Sequence, residues 1–559
     1  MARRGRNLRV GLCALIACLL YLPGLGRPAL WEPDEGRYAE IAREMVQSGD
    51  YITPRDDWVR YFEKPPLMYW AGALAIRLFG ANEFAVRLPA ALFSIGQVAI
   101  TCALGEEMFG AAAGLAAAAS LALSPLFFGF GRFLTLDPAL AFFVEAALGC
   151  FYMAARAAPR FDFRPSRGWL YLAAAMAALG TLTKGPVALV ISGGIALAYA
   201  VIEGRRRDLI QIPWRGCVLL YAVITAPWFV LVSWRNPDFL RFFFVHEHFQ
   251  RYVSSTEHAW GPYFFIPITL AGMWPWIYFV PRAIAQLRRP DREGEASIDR
   301  SALAFLLIWF GFVLVFFSIP RSKLGSYILP GLPPLAILAG YGMCSLGQAG
   351  AKARQVMKTF AMFNVGLAAV AIPILLVIAG RHRMSALGID GAIALGALAC
   401  GAIAAWAIMD NRQRLPYAIA VMAAGSVLVC AIQTKAREDA AAFFTYRGLA
   451  HAISPEISRD CVLASYHHHV QSMPFYTGSR EVLVAHRGEL APGATTPDAR
   501  GSFIDSDSEL IELWASGRCV VLIVNQKDLA GLAVKLAPRP VLLAREGKKL
   551  LLSNRARTD

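Results

Sequence analysis

Between two strongly apolar segments the chain runs WEPDEGRYAEIAREMVQSGDYITPRDDWVRYFEKPPLMYW, from Trp31 to Trp70. That one loop gathers Asp34, Glu35, Arg37, Tyr38, Asp56, Asp57, Arg60, Tyr61, Glu63 and Lys64. Carboxylates of this kind accept protons or orient a nucleophile, while Lys, Arg and Tyr side chains hold anions. Ionised groups are costly beside hydrocarbon, so a gathering of them at a membrane edge reads first as a site. The plainer alternative makes Asp34 and Glu35 first-turn helix charges and Glu63 with Lys64 a surface pair.

Four other stretches carry candidate groups. Asp137 in TLDP stands directly before Pro138, which suits a helix cap as well as a working carboxylate. Lys184 in TLTKGP lies between two apolar runs that are otherwise free of charge. The segment VHEHFQRYVSS supplies His246, His248, Arg251 and Tyr252, and PRSKLGSYILP supplies Arg321, Lys323 and Tyr327. Interfacial Lys, Arg and Tyr also anchor helices with no chemistry involved, which is the competing account of Arg321 and Lys323. Glu63 and His246, a carboxylate and an imidazole, could share a zinc or another divalent cation, although no HExxH or comparable spacing supports it.

The loop's own sequence says how its groups are presented. Pro33 suits the start of a helix with Asp34 and Glu35 in the first turn, continuing through Ala39–Val46 and ending near Gly49. In YFEKPP the two prolines forbid helix through Lys64, so Glu63 and Lys64 sit on extended backbone just before the apolar run Leu67–Leu78. That run is too short to span and is broken by Arg77 and Gly80, so it reads as an interfacial or re-entrant helix.

With 57% hydrophobic and 17% charged residues over 559, and a mean hydropathy of +0.46, the chain has more apolar surface than soluble cores could bury. The fold class is therefore mainly α, a polytopic membrane protein. The formal charge of +15 is not a nucleic-acid signature, because most arginines fall in short loops between apolar runs. The basic N-terminus followed by an apolar run reads as a first span rather than a cleaved leader, there being no small-residue cleavage box before Pro28. Further spans are expected near 84–104, 111–130, 138–157, 168–182, 185–203, 214–234, 262–282, 301–319, 329–347, 357–379, 387–409 and 415–434, about thirteen in all. Starting inside, alternate loops carry Arg156, Arg160, Arg164 and Arg167, then Arg205, Arg206, Arg207 and Arg215, then Arg288, Arg289 and Arg292, then Lys352 and Arg354, then Arg412 and Arg414. This obeys the positive-inside rule and puts the Asp34–Lys64 loop, Asp137, Lys184, residues 236–260 and Arg321–Tyr327 together on the outer face. A full span at Leu67–Phe79 would invert that arrangement.

After residue 435 the composition turns polar. Short β-like runs at Cys461–Ala464, Glu481–Ala485, Cys519–Val524 and Pro540–Leu543, with helical or loop stretches at Asp505–Ser516 and Gln526–Lys535, predict a small α/β domain on the outer side. Domain boundaries are 1–434 for the membrane part, with 27–83 as its outer loop, and 435–559 for the soluble part. Cys461 and Cys519 each open a strand; a disulfide and two buried thiols are equal alternatives, while the other cysteines lie in apolar spans. The run His467, His468 and His469 lacks ligand spacing and reads as solvated. No internal repeat, Walker loop or GxGxxG element is present, so nothing points to a nucleotide-sugar donor.

DEGRYAEIAREM, YFEKPP and FLTLDPAL together resemble the bacterial aminoarabinose transferases, integral-membrane GT-C glycosyltransferases related to the protein O-mannosyltransferases. The acidic first loop is common to the GT-C class, YFEKP is closer to the aminoarabinose branch, and the likeness weakens after about residue 435. The resemblance implies a GT-C fold with about thirteen transmembrane helices and a periplasmic C-terminal α/β domain. It implies inverting transfer of 4-amino-4-deoxy-L-arabinose from undecaprenyl phosphate to lipid A phosphates in the inner membrane, giving polymyxin resistance. Such a site needs cations and donors at the interface above an apolar groove. Lys64, Arg251 and Tyr327 fit the donor phosphate, with Arg37, Tyr38 and Tyr61 beside them, and Lys184 the acceptor phosphate. Asp34, helped by Asp137, matches the carboxylate that removes a proton from a hydroxyl acceptor. A phosphate acceptor is already largely ionised at pH 7, and Asp34 would then orient it or pair with the sugar's amino group. No metal is required on this reading, and the partners are the lipid-linked donor, lipid A and membrane lipids, with no nucleic acid and a monomer expected. Another GT-C transferase with a hydroxyl acceptor is the nearest competitor. A lipid or sugar transporter is the competitor from a different class, for which polar groups would gather at the bilayer midplane instead.

Overall fold

A computed structural model describes residues 2–157, 167–243, 259–288, 300–348, 351–381, 384–409, 412–453 and 460–555. They divide into two compact units, one of residues 1–23, 90–229 and 244–437 and the other of residues 24–89, 230–243 and 438–559.

The first unit is helical. It contains α1 (Ala2–Tyr21); the second contains α2 (Asp34–Ser48) and α3 (Leu67–Phe79). The helix α4 (Glu83–Phe109) is followed by α5 (Ala111–Ala122), α6 (Pro125–Gly131), α7 (Asp137–Ala157), α8 (Arg167–Lys184) and α9 (Val187–Ile202). Apolar helices continue at Trp214–Arg235, Arg300–Ser318, Leu332–Cys344, Ala351–Arg381, Ser385–Ile408 and Leu415–Asp439. Small residues in α5, AAAGLAAAASLA, let neighbouring backbones approach: a Cβ on Gly114 would lie 2.5 Å from the Cys102 carbonyl, and one on Gly340 2.6 Å from that of Ala113. Val370, Ile374, Val377 and Ile378 are exposed on one long helix, which suits lipid rather than water. The protein is a polytopic membrane protein.

Among the described residues, eight helices are long and apolar enough to cross a bilayer, nine if the bent pair α5 and α6 is one span. The thirteen expected spans overlap helical segments, but several of these are short or broken. The run at 111–130 bends by 65°, at the break between α5 and Pro125. The run at 262–282 is a correction: it forms Phe265–Gly272, Trp276–Phe279 and Val280–Leu287 instead of one span, with Pro275 at the break. The helix α9 is only 16 residues long.

The sense of the helices matches the charge-based topology. Arg6 at the start of α1 pairs with Glu107 at the end of α4 at 2.8 Å, and Arg9 pairs with Glu106. The helix α4 therefore returns to the end where α1 begins, which a full span at Leu67–Phe79 would forbid; α3 is the short helix expected. At the opposite end, Arg132 donates to the Tyr21 carbonyl and Arg437 to that of Arg132, both at 2.6 Å. The last long helix thus finishes at the end where α1 finishes, as an odd number of crossings requires.

The second unit holds a two-stranded hairpin, β1 (Arg55–Asp56) with β2 (Val59–Arg60), and a six-stranded mixed sheet. Its strands are β3 (Cys461–Tyr466), β4 (Glu481–Val484), β5 (Phe503–Ile504), β6 (Cys519–Asn525), β7 (Val541–Glu546) and β8 (Lys549–Ser553), in the order β5-β4-β3-β6-β8-β7. The strands β5, β4, β3 and β6 run parallel, while β8 is antiparallel to both β6 and β7. The run CVVLIVN in β6 is apolar throughout because both faces are covered: Val520, Leu522 and Val524 pack with Trp514 and Leu510 on one side, Val521 and Ile523 with Leu449 and Met473 on the other. Cys461 and Cys519 are register partners on adjacent strands and form a disulfide, with Cα atoms 4.5 Å apart.

Candidate active site

The first-loop residues are fixed by α2 and by the C-terminal residues packed on it. The helix starts after Pro33 with Asp34 and Glu35 in its first turn and stops at Gly49, whose φ of 72° suits glycine. Gly36 inside this helix is needed for contact, since a Cβ there would sit 2.5 Å from the Ser472 backbone nitrogen. Glu32 accepts from that same nitrogen at 2.9 Å.

Neighbouring carboxylates have different environments. Glu35 is wholly buried and binds Arg87 through two 2.7 Å bonds; Arg87 also donates to the carbonyls of Leu25, Pro28 and Ala29. This pair is scaffolding for the loop. Asp34 keeps a third of its side chain exposed, with one oxygen 3.7 Å from Arg37. Arg37 is itself 4% exposed. It binds Glu489 at 2.6 Å and the Tyr61 hydroxyl at 3.2 Å, and lies 5.9 and 5.7 Å from the Tyr38 and Tyr61 ring centres. Tyr38 and Tyr61 are buried as well, and burial raises both phenols far above the usual range, so both stay neutral donors.

Lys64 lies on the extended segment before α3, 15% exposed and 3.8 Å from the Glu63 carboxylate. The hairpin that precedes it turns at Asp57 and Trp58, with φ of 53° and 66°, the positive pair that a two-residue turn demands. Asp57 accepts from the Glu481 backbone nitrogen at 2.9 Å, and Glu44 from that of Trp58 at 2.8 Å. Desolvation pushes Asp56, Asp57, Glu44 and Glu481 well above the usual carboxylate range, with neighbouring acids adding to it in all four.

In the helical unit the structure joins three residues from separate stretches. Asp137 at the start of α7 binds Lys184 at the end of α8, and the Lys184 ammonium sits 4.2 Å from the ring centre of Tyr327, which belongs to the short helical segment Gly325–Gly331. Lys184 is thus oriented by a carboxylate and an aromatic face, an arrangement suited to receiving an anion. Lys323 donates instead to the carbonyls of Trp260 and Pro320 and staples its own loop, as the anchoring account expects. A groove of about 760 Å³ beside it is lined by Trp260, Ile266, Leu314, Val315, Ile319 and Arg321.

His246, His248, Arg251 and Tyr252 lie outside the described residues. Of the pair considered for a metal, only Glu63 is described, 3.8 Å from the Lys64 ammonium group. Among the described residues no three His, Cys, Asp or Glu side chains are grouped to hold a metal ion. The His run is corrected in part: His467 is exposed, but His469 is buried 3.5 Å from Glu481, and burial lowers it to about 3, so it is neutral. Glu489 and Arg87 are residues that sequence reasoning missed. Arg87 had a signal, as a lone charge entering an apolar helix; Glu489, in a Gly/Pro-flanked loop of the soluble part, had none.

Residues 63–231 match the family described as dolichyl-phosphate-mannose-protein mannosyltransferase, and residues 449–554 match the aminoarabinose transferase C-terminal domain. An undecaprenyl phosphate-alpha-4-amino-4-deoxy-L-arabinose arabinosyl transferase from Erwinia tasmaniensis is 31% identical over 528 residues, 88% of this chain and 89% of the relative. One of the same description from Edwardsiella ictaluri is 30% identical, covering 96% and 97%. A crystal structure of ArnT from Cupriavidus metallidurans bound to undecaprenyl phosphate superposes with a TM-score of 0.86 at 29% identity, over 98% of each chain.

Proposed function

Because the chain belongs to the family of undecaprenyl phosphate-alpha-4-amino-4-deoxy-L-arabinose arabinosyl transferases, we propose that it moves 4-amino-4-deoxy-L-arabinose from undecaprenyl phosphate to a lipid A phosphate. The site faces the periplasm at the inner membrane, and a single chain does the work. The observation that carries this reading is the likeness, over nearly the whole length, to a structure bound to undecaprenyl phosphate, with the C-terminal domain matched as well. That second match favours the aminoarabinose reading over the mannosyltransferase described for residues 63–231.

In the reaction, the bond between the anomeric carbon and the donor phosphate breaks as an acceptor oxygen attacks from the opposite face, and charge accumulates on the departing phosphate. Lys64, carried by the proline-fixed segment before α3, holds that phosphate; Tyr327 and Arg251 are the further candidates for it that the family resemblance offers. Preorganised cations at a growing charge are worth roughly 100- to 1000-fold each. Lys184, oriented by Asp137, takes the acceptor phosphate. An ionised phosphate needs no base, so Asp34 orients the acceptor or pairs with the sugar's amino group. Arg37 faces Asp34 at 3.7 Å, and Tyr38 and Tyr61 hold Arg37 in place. The chemistry asks for no metal, because these cations supply the charge stabilisation. Adding a cationic sugar to lipid A offsets its phosphate charge and weakens binding of polymyxin and other cationic peptides.

Mass spectrometry of lipid A from cells with and without the gene tests this. The reading expects aminoarabinose-bearing lipid A only with the gene present, and identical spectra would overturn it.

A further inference from the structure

We propose that Glu489, carried by the C-terminal domain, is a positioning residue that keeps Arg37 from neutralising Asp34. The inference rests on the reading that Asp34 faces the substrate. Arg37 cannot lose its proton, and buried at 4% exposure it must share its charge among the oxygens around it. Glu489 takes one nitrogen at 2.6 Å; Asp34 is left with an ion pair at 3.7 Å, beyond hydrogen-bond reach. The short charge-assisted contact sets the plane of the guanidinium. Asp34 keeps its oxygens available while still feeling the positive charge.

The segment that carries Glu489 is anchored, although the Glu489 side chain is 36% exposed. Glu489 lies in the short helical segment Gly488–Gly493, and Gly493 packs so closely on β2 that a Cβ would come 2.5 Å from the Arg60 carbonyl oxygen. Arg60 in turn binds Asp498 at 2.8 Å. Were Glu489 removed, the guanidinium would be drawn toward Asp34, the other carboxylate within 4 Å of it among the described residues, closing that gap and taking its oxygens from the substrate. The C-terminal domain thereby contributes one carboxylate to the tuning of the first loop, a function that its own composition does not advertise.

The test uses the purified full-length protein with a synthetic short-chain aminoarabinosyl phosphate donor and lipid A, comparing wild type with Glu489→Ala, Glu489→Gln, Glu489→Asp and Asp34→Asn. Misplacing a working group by about 1 Å costs up to roughly 100-fold, so Glu489→Ala and Glu489→Gln should lower kcat by about 10- to 100-fold with donor KM within about twofold. Glu489→Asp, which keeps the charge, should recover most of the loss. Wild-type kcat in the folded Gln variant overturns the proposal, and so does an equal loss in the Asp variant or an effect confined to KM. A wild-type rate in Asp34→Asn would overturn the underlying reading and this proposal with it; a slowed Asp34→Asn beside a Glu489→Gln of wild-type rate would sink the proposal alone.

Discussion

Glu35→Gln separates scaffolding from chemistry within a single dipeptide. Glu35 and Arg87 are both wholly buried, joined by two 2.7 Å bonds, and Arg87 spends its other donors on the Leu25, Pro28 and Ala29 carbonyls. The substitution keeps the size and one acceptor but removes the charge, leaving an uncompensated guanidinium that cannot deprotonate. Removing one partner of a buried pair costs about 3–5 kcal/mol, a large part of the 5–15 kcal/mol typical of a folded domain. At roughly 2–4 °C per kcal/mol for a body of this size, thermal unfolding in detergent should shift down by on the order of 10 °C. Transfer per folded molecule, measured below that midpoint, should stay within about threefold of wild type. Replacing both residues, as Glu35→Leu with Arg87→Met, should cost less than Glu35→Gln alone, since no charge is then left buried. A Glu35→Gln protein as stable as wild type would refute the assignment, and so would one that unfolds normally but has lost turnover.

Lys64→Ala should abolish transfer while leaving an extractable, folded protein; near wild-type activity in a purified assay would remove Lys64 from the site. Stability should fall as pH rises. Burial raises Glu32 to about 7 and pushes Asp56, Asp57, Glu44 and Glu481 upward as well. A carboxyl raised in this way holds its proton more tightly folded than unfolded. Its contribution is therefore complete below about pH 4.5 and is lost as pH passes through the folded value, on the order of 3 kcal/mol for Glu32. Unfolding midpoints at pH 5.5 and 8 should show this, and Glu32→Gln should flatten the slope between them; a wild-type midpoint that rises with pH would contradict it. Replacing Cys461 and Cys519 by serine opens a loop of 58 residues and should cost about 4 kcal/mol, read as a lower midpoint that reducing agent reproduces in the wild type.

Much of this was legible in the sequence because local rules governed it. Pro33 and Gly49 bracket α2 through backbone preference alone, YFEKPP fixes Lys64 on extended chain before α3, and the arginine-rich loops set the sense of α1 and α4. The strands starting at Cys461, Glu481 and Cys519 announced themselves by apolar β-branched runs. What stayed hidden depends on partners distant in sequence. Glu35 and Asp34 look alike until Arg87 claims one of them, and Glu489 looks like any loop acid until it meets Arg37. His469 reads as solvated until the sheet buries it beside Glu481. The strand β8, KLLLS, is short, with only Gly547 before it as a turn signal; it gains its place by pairing with both β6 and β7. The break at Pro275 was visible as a residue, but the apolar run around it masked its effect.

The most direct test of the account is a pH series of the transfer rate with purified protein, synthetic donor and lipid A, for wild type and Asp34→Asn. The account predicts that the rate follows ionisation of the acceptor phosphate near pH 6, and that Asp34→Asn keeps this pH dependence while lowering the rate at every pH. A wild-type profile set by an ionisation that disappears in Asp34→Asn would contradict it, because Asp34 would then be the base and the acceptor a group that needs one.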